Sequence, residues 1–241
     1  MHRKDIEMIL KKIAAFFAGC VLAMTVAACG AASPSSQPAQ PAASASGGKT
    51  AKVLVAYFSQ PETAKADNMT KEEANSTVVI NGKVLGNTEY MAKLIMEDTG
   101  ADEFRIDPAK PYPTDHKVLV PLARKELDEG TRPAIANKVD NMDQYDVIFL
   151  GYPNWWGDMP MILYTFLDTY DLSGKVIIPF NTHGGSGFSN TIQEIAQTEP
   201  NAKVYRNGLS ISRDDIQDAA PDVEKWLHSI RLDGLTLTHQ D

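Results

Sequence analysis

Continuous apolar runs alternate with helical periodicities along most of the chain beyond residue 50. Residues 52–58 (KVLVAYF) and 146–151 (DVIFLG) show no polar alternation, the pattern of strands covered by helices on both faces. Residues 175–180 repeat that pattern, 102–106 form a shorter run, and 203–211 complete a set of five predicted strands. Helical patterns lie between them. Tyr90, Met91, Leu94 and Ile95 recur at helical spacing after Gly86-Asn87-Thr88 and stop at Gly100, and a second helix over 115–129 stops at Gly130. A third runs from Pro160 to about Tyr170 with Asp158 as its cap, a fourth over 187–197, and a last from Ser212 or Asp214 through Trp226 and Ile230.

Strands alternating with helices on this scale predict an α/β domain built on a doubly wound, five-stranded parallel sheet of order 2-1-3-4-5. Its switch point falls between strands one and three, so the loops after strands one, three and four converge on one crevice. Residues 60–85 intrude into the first of these connections. Within them, 77–80 and 83–85 flank Asn81-Gly82 and predict a hairpin with a primed turn. The insert reads either as a flap over the crevice or as a surface elaboration.

All three converging loops carry unusual residues. After strand three come Pro153, Asn154, Trp155 and Trp156, with Gly157 and Pro160 shaping the turn; two indoles beyond a buried strand point to a flat ligand. Gly86, Asn87 and Thr88 open a helix, where orphan N–H groups and the helix dipole favour a phosphate, and Ser59 adds a hydroxyl from the end of strand one. After strand four, Asn181 to Gly187 include Thr182, His183, Gly184 and Gly185, with backbone amides suited to the edge of a heterocycle. His183 is the candidate proton donor, or else a brace for its own turn. No metal-ligand spacing surrounds it. Asp115, His116 and Asp158 are second-rank candidates, Asp115 and Asp158 being more simply helix caps, and Met159 and Met161 read as packing.

The remaining chain changes the setting. Arg3, Lys4, Lys11 and Lys12 precede an apolar stretch over 13–28 that ends in Val-Ala-Ala before Cys29, the shape of an export signal. It resembles a bacterial lipobox, which implies lipidation of Cys29 and loss of Cys20 with the signal. With Cys29 lipidated the exported protein keeps no free thiol, which argues against thiol redox chemistry. Residues 30–50, rich in Ala, Ser, Pro and Gln, predict a tether of about 25 Å reach. The domain organisation is thus signal 1–28, tether 29–50 and one folded domain 51–241. The chain carries a net charge of −8 without a basic run, which argues against nucleic acid and leaves membrane attachment to the anchor.

A phosphate site, a stacking surface and a hydrogen-bonding glycine loop together describe a phosphorylated flat heterocycle. On these three loops and the strand ending at Ser59, residues 51–232 resemble the flavodoxin-like family, in particular its exported single-domain members. The resemblance implies FMN as cofactor. Carried over, Ser59, Asn87 and Thr88 hold its phosphate after Gly86, Pro153, Asn154, Trp155 and Trp156 border the isoalloxazine, and Thr182, His183, Gly184 and Gly185 line its other side. Two features depart from the family pattern. The phosphate loop is interrupted by 60–85, and the loop after strand four has no Tyr or Trp, leaving Phe188 or His183 to serve as a second face. The expected function is an FMN-binding redox protein anchored at the bacterial envelope, its partner a redox protein or a small quinone-like acceptor. The alternatives are an NAD(P)H-dependent quinone reductase and a non-catalytic flavin-binding lipoprotein.

Overall fold

The computed structural model describes residues 48–240. The signal, Cys20, Cys29 and the tether up to residue 47 lie outside the described residues. Five parallel strands form the centre: β2 (Val53–Tyr57), β5 (Asp102–Arg105), β6 (Val147–Pro153), β7 (Val176–His183) and β8 (Lys203–Val204), in the order β5-β2-β6-β7-β8. A sixth, β9 (Leu209–Ser212), also runs parallel to β7, further along it. In sequence terms this is the order 2-1-3-4-5, with the fifth position shared by two short strands.

The central strands are apolar throughout because both faces are covered. Leu54, Ala56 and Phe58 join Ile148, Leu150 and Tyr152 in one core layer, while Val53, Val55 and Tyr57 join Val147 and Phe149 in the other. Each large side chain so buried contributes roughly 1.5–3 kcal/mol of transfer free energy. Packing across the β6–β7 pair is tight enough to dictate sequence: a Cβ on Gly151 would lie 2.1 Å from the Phe180 ring.

The described residues include six helices, α1 (Lys71–Ser76), α2 (Asn87–Thr99), α3 (His116–Glu129), α4 (Met161–Thr169), α5 (Thr191–Thr198) and α6 (Ala220–Ser229); all but α1 bury side chains. Gly100 and Gly130 close α2 and α3 in the left-handed conformation, as predicted, and the Asp115 carboxylate caps α3 through Lys117 N–H. Asp158 does not cap α4. Pro160 takes the N-cap position, and the Asp158 carboxylate accepts instead from Met159 N–H and the Tyr164 hydroxyl. The fourth predicted helix loses its first turn because Gly187 and Ser189 take positive φ, which unwinds that stretch into a loop. The last begins later than expected: a short 3-10 turn over Ile216–Asp218 leads into α6, with a proline in its first turn.

The predicted hairpin forms, with β3 (Thr77–Ile80) antiparallel to β4 (Lys83–Gly86) and both Asn81 and Gly82 at positive φ. The helix α1 before it was not predicted. The tether also ends sooner than its composition indicated, since β1 (Lys49–Thr50) pairs with β10 (Leu235–Thr236) at the other end of the domain.

Candidate functional site

The ends of β2, β6 and β7 open on one cleft of about 240 Å³. Its floor is the start of α2. Gly86 is the N-cap and has no side chain to offer, so Ser59 from the end of β2 supplies the capping oxygen, accepting from Glu89 N–H at 3.3 Å. That approach excludes any larger residue at 86, because a Cβ there would sit 2.1 Å from Ser59 Oγ. Arg105 holds the junction from below: Nη1 reaches the Glu89 carboxylate at 3.0 Å and Nη2 donates to Ser59 O at 3.2 Å. Residues 60–85 therefore loop out and return, leaving Ser59 beside the helix that an uninterrupted loop would have reached directly.

Asn87 and Thr88 are buried at this floor. Thr88 and Thr182 share a hydrogen bond between hydroxyls at 2.9 Å, tying the first loop to the fourth. Asn87 Nδ2 donates to Asn75 O at 2.9 Å, while its buried Oδ1 has no partner among the described residues.

The two indoles do not form a paired platform. Trp155 is half-buried, its ring meeting those of Phe58 and Tyr112 edge-on at 5.5 Å. Trp156 takes φ of 58° in a tight turn closed by mutual Trp155–Asp158 backbone hydrogen bonds, which throws its side chain outward to 52% exposure. There Nε1 donates to Val120 O at 3.1 Å and Arg124 lies 5.6 Å from the ring, so the indole extends the cleft wall along α3. Asn154 braces the loop: Nδ2 donates to Gly187 O and Ser189 Oγ, and Oδ1 accepts from Gly157 N–H.

On the opposite side, His183 Nδ1 accepts from Gly185 N–H at 2.8 Å, which leaves Nε2 as the protonated nitrogen of the neutral ring. Burial lowers its pKa below the ordinary imidazole value, with Asp215 pulling the other way. Arg213 lies over Gly184, where a Cβ would come within 2.9 Å of the guanidinium. Its buried Nε has no hydrogen-bond partner among the described residues, Asp214 Oδ1 standing 4.0 Å away.

Of the residues singled out in the sequence, Ser59, Asn87, Thr88, Pro153, Asn154, Trp155, Trp156, Thr182, His183 and Gly184 line the cleft. Gly86 and Gly185 stand behind the wall, the first as helix cap and the second as donor to His183. Phe188 does not reach it, being packed into the core against Gly208. The hairpin β3–β4 does not cover the cleft either; Val78, Ile80 and Leu85 pack onto the core layer of Val53 and Val55. The segment before it contributes the wall instead, through Gln60, Glu62, Asn75 and Ser76.

Among the lining residues that the sequence did not single out or ranked low, three are ionisable. Glu62 is buried and its carboxylate meets His116 Nδ1 at 2.9 and 3.1 Å. Burial lifts the Glu62 pKa above the ordinary carboxylate range, against the pull of His116. Arg213 is the third, the one Lys or Arg among the described residues lining the cleft.

The family model for flavodoxin matches residues 76–230. The chain belongs to the flavodoxin family. This flavodoxin is similar to a protein of Bacteroides eggerthii provisionally designated a flavoprotein, at 28% identity over 73% of this chain and 99% of that one, with a TM-score of 0.51. A protein of Bacteroides uniformis with the same designation is also 28% identical, over 70% and 97% of the two chains, at a TM-score of 0.50. A flavoprotein of Lactobacillus acidophilus solved in complex with FMN is 19% identical over 73% and 99%, at a TM-score of 0.49. No curated protein matches this flavodoxin.

Proposed function

We propose that the chain binds FMN in this cleft and serves as a redox protein at the bacterial cell envelope. The carrying observation is that two of the four unpartnered buried polar atoms among the described residues, Asn87 Oδ1 and Arg213 Nε, belong to residues lining one cleft floored by a helix N-terminus. Asn87 Oδ1 needs a donor and Arg213 Nε an acceptor, so the occupant must bring both; a ribityl phosphate does. The Ser59 and Thr88 hydroxyls and the backbone N–H groups of Asn87 and Thr88 would hold the phosphate end at the first turn of α2, where the dipole favours negative charge, and Asn87 Oδ1 would accept from a ribityl hydroxyl. Trp155, Trp156, Thr182, His183 and Gly184 would border the ring. FMN supplies one- and two-electron transfer when bound; the chain contributes orientation, water exclusion and charge.

The test is a fluorescence titration of the purified chain with FMN and with riboflavin. FMN should bind at least ~10-fold more tightly than riboflavin, and Asn87→Ala should weaken both by roughly 2- to 10-fold, a lost neutral hydrogen bond being worth about 0.5–1.5 kcal/mol. Equal affinity for both flavins would remove the phosphate site from this reading. Anchoring rests on Cys29 and the signal before it, and is tested by palmitate labelling that Cys29→Ser abolishes.

The Glu62–His116 pair favours a second reading, an enzyme reducing a small quinone-like acceptor with NAD(P)H. Two-electron reduction of a quinone requires protons, and a buried carboxyl with a raised pKa, hydrogen-bonded to an imidazole on the cleft wall, is a proton store at the right place. Glu62→Gln should lower NAD(P)H-driven quinone turnover by ~10²-fold while leaving FMN affinity unchanged. Turnover that is absent in the wild type would leave the electron-carrier reading in place.

A further inference from the structure

A second cluster of side chains lies outside the cleft. Asp98 in the last turn of α2, His228 in the last turn of α6 and His239 in the C-terminal tail bring one carboxylate and two imidazoles together, with donor atoms all within 4.8 Å of one another. His228 Nε2 lies 3.3 Å from Asp98 Oδ2, and His239 Nδ1 lies 2.5 Å from Asp98 Oδ1. The two rings stack at 4.2 Å with 23° between their planes, each with a nitrogen on one oxygen of the same carboxylate. None of the three lines the cleft.

We propose that Asp98, His228 and His239 form a zinc-class divalent metal site. Two imidazole nitrogens and one carboxylate oxygen are a donor set for borderline ions, poorly matched to calcium or magnesium, which take oxygen ligands. Ligands on a tetrahedral ion at about 2.0–2.1 Å stand roughly 3.3 Å apart, the separation already present between His228 and Asp98, and a turn of the His239 ring out of the stack completes the set. His228 is 54% exposed, which leaves the remaining position open to water from solvent.

The site would fasten the tail. His239 follows β10, the strand that pairs with β1 where the tether enters the domain, and Gln240 N–H donates to Asp98 O. A metal joining α2, α6 and residue 239 crosslinks three segments far apart in sequence and stabilises the folded chain by mass action. Cu²⁺ is expected to compete with Zn²⁺ at such a site.

The experiment uses the full chain, stripped of metal, without a histidine tag, and carrying Cys20→Ser and Cys29→Ser so that no thiol competes. Titration with Zn²⁺ should show one equivalent bound and a raised Tm, and Co²⁺ substitution should give the intense visible bands of a tetrahedral ion. His239→Ala and Asp98→Asn should each weaken Zn²⁺ binding by at least ~10-fold. Circular dichroism and FMN titration of the same variants check that fold and cleft are intact. Binding that is unchanged in both variants, or absent at about 1 mM Zn²⁺, overturns the proposal, and the three residues are then a hydrogen-bonded clasp.

Discussion

Gly86 sits where the end of β2 meets the start of α2, and no other residue fits without moving Ser59, whose Oγ would lie 2.1 Å from the added Cβ. Gly86→Ala should therefore displace the hydroxyl that caps α2 and faces the cleft. The expected result is a loss of FMN affinity of ~10-fold or more together with about 1–3 kcal/mol of stability, read from flavin titration and urea unfolding. A second residue-scale prediction concerns Glu199 at the C-cap of α5. Burial, with Asp168 and Asp171 adding repulsion, raises its pKa from 4.5 to about 7, and a carboxylate at a helix C-terminus also opposes the dipole. Because the folded chain holds this proton more tightly than the unfolded one, stability is lost as pH rises between those two values. Glu199→Gln should raise Tm at pH ~8 and match the wild type near pH ~4. A Tm difference that stays constant with pH would assign the effect to packing instead.

Among the elements, those fixed by local pattern were legible. The buried strands β2, β6 and β7 announce themselves as apolar runs, and Gly100 and Gly130 mark helix ends through a conformation other residues avoid. Elements lacking an apolar face were not. The helix α1 (KEEANS) buries nothing, so it has no periodicity to read, although Thr70 and Glu73 spell a capping box that the structure forms. The fifth strand reads as continuous but breaks at Gly208, where a Cβ would meet Pro179 O at 2.4 Å. The β7 backbone and the Phe188 ring, both distant in sequence, set that limit. The insert shows the same divide: its hairpin was legible, whereas its contribution to the cleft depends on Glu62 and Asn75 being folded back against α3 and α2. The two parts are separable by experiment. Val78→Ala, in the hairpin's buried face, should cost roughly 1–3 kcal/mol and leave FMN affinity within ~2-fold. Asn87→Ala, which removes the donor that ties α2 to the Asn75 carbonyl, should do the reverse in emphasis, weakening FMN more than it destabilises the fold.

For the whole molecule, the sign of the charge and the chemistry of the cleft pull in opposite directions. The chain carries −8, which disfavours a phosphorylated ligand at long range, yet Arg213 stands in the cleft wall with an unpaired Nε. Distance decides between them. A charge at 4 Å in a partly shielded site is worth about 4 kcal/mol, whereas surface carboxylates beyond a Debye length of about 8 Å are largely screened at physiological salt. The sequence could not rank these effects, because Arg213 reads there as the polar start of a helix and only the β9 connection, through Arg213 N–H to His183 O, brings it over Gly184. Arg213→Gln should lower FMN affinity by ~10-fold or more and also change its dependence on salt. In the wild type, added salt weakens the local attraction and the global repulsion together, so affinity should fall or stay level. In the variant the repulsion is opposed by the α2 N-terminus alone, so the salt slope should shift towards tighter FMN binding as NaCl rises from about 50 to 500 mM. Titrations across that range decide the matter: parallel salt slopes for the two proteins would show that Arg213 does not meet the ligand's charge, and would return the phosphate to the N-terminus of α2 alone.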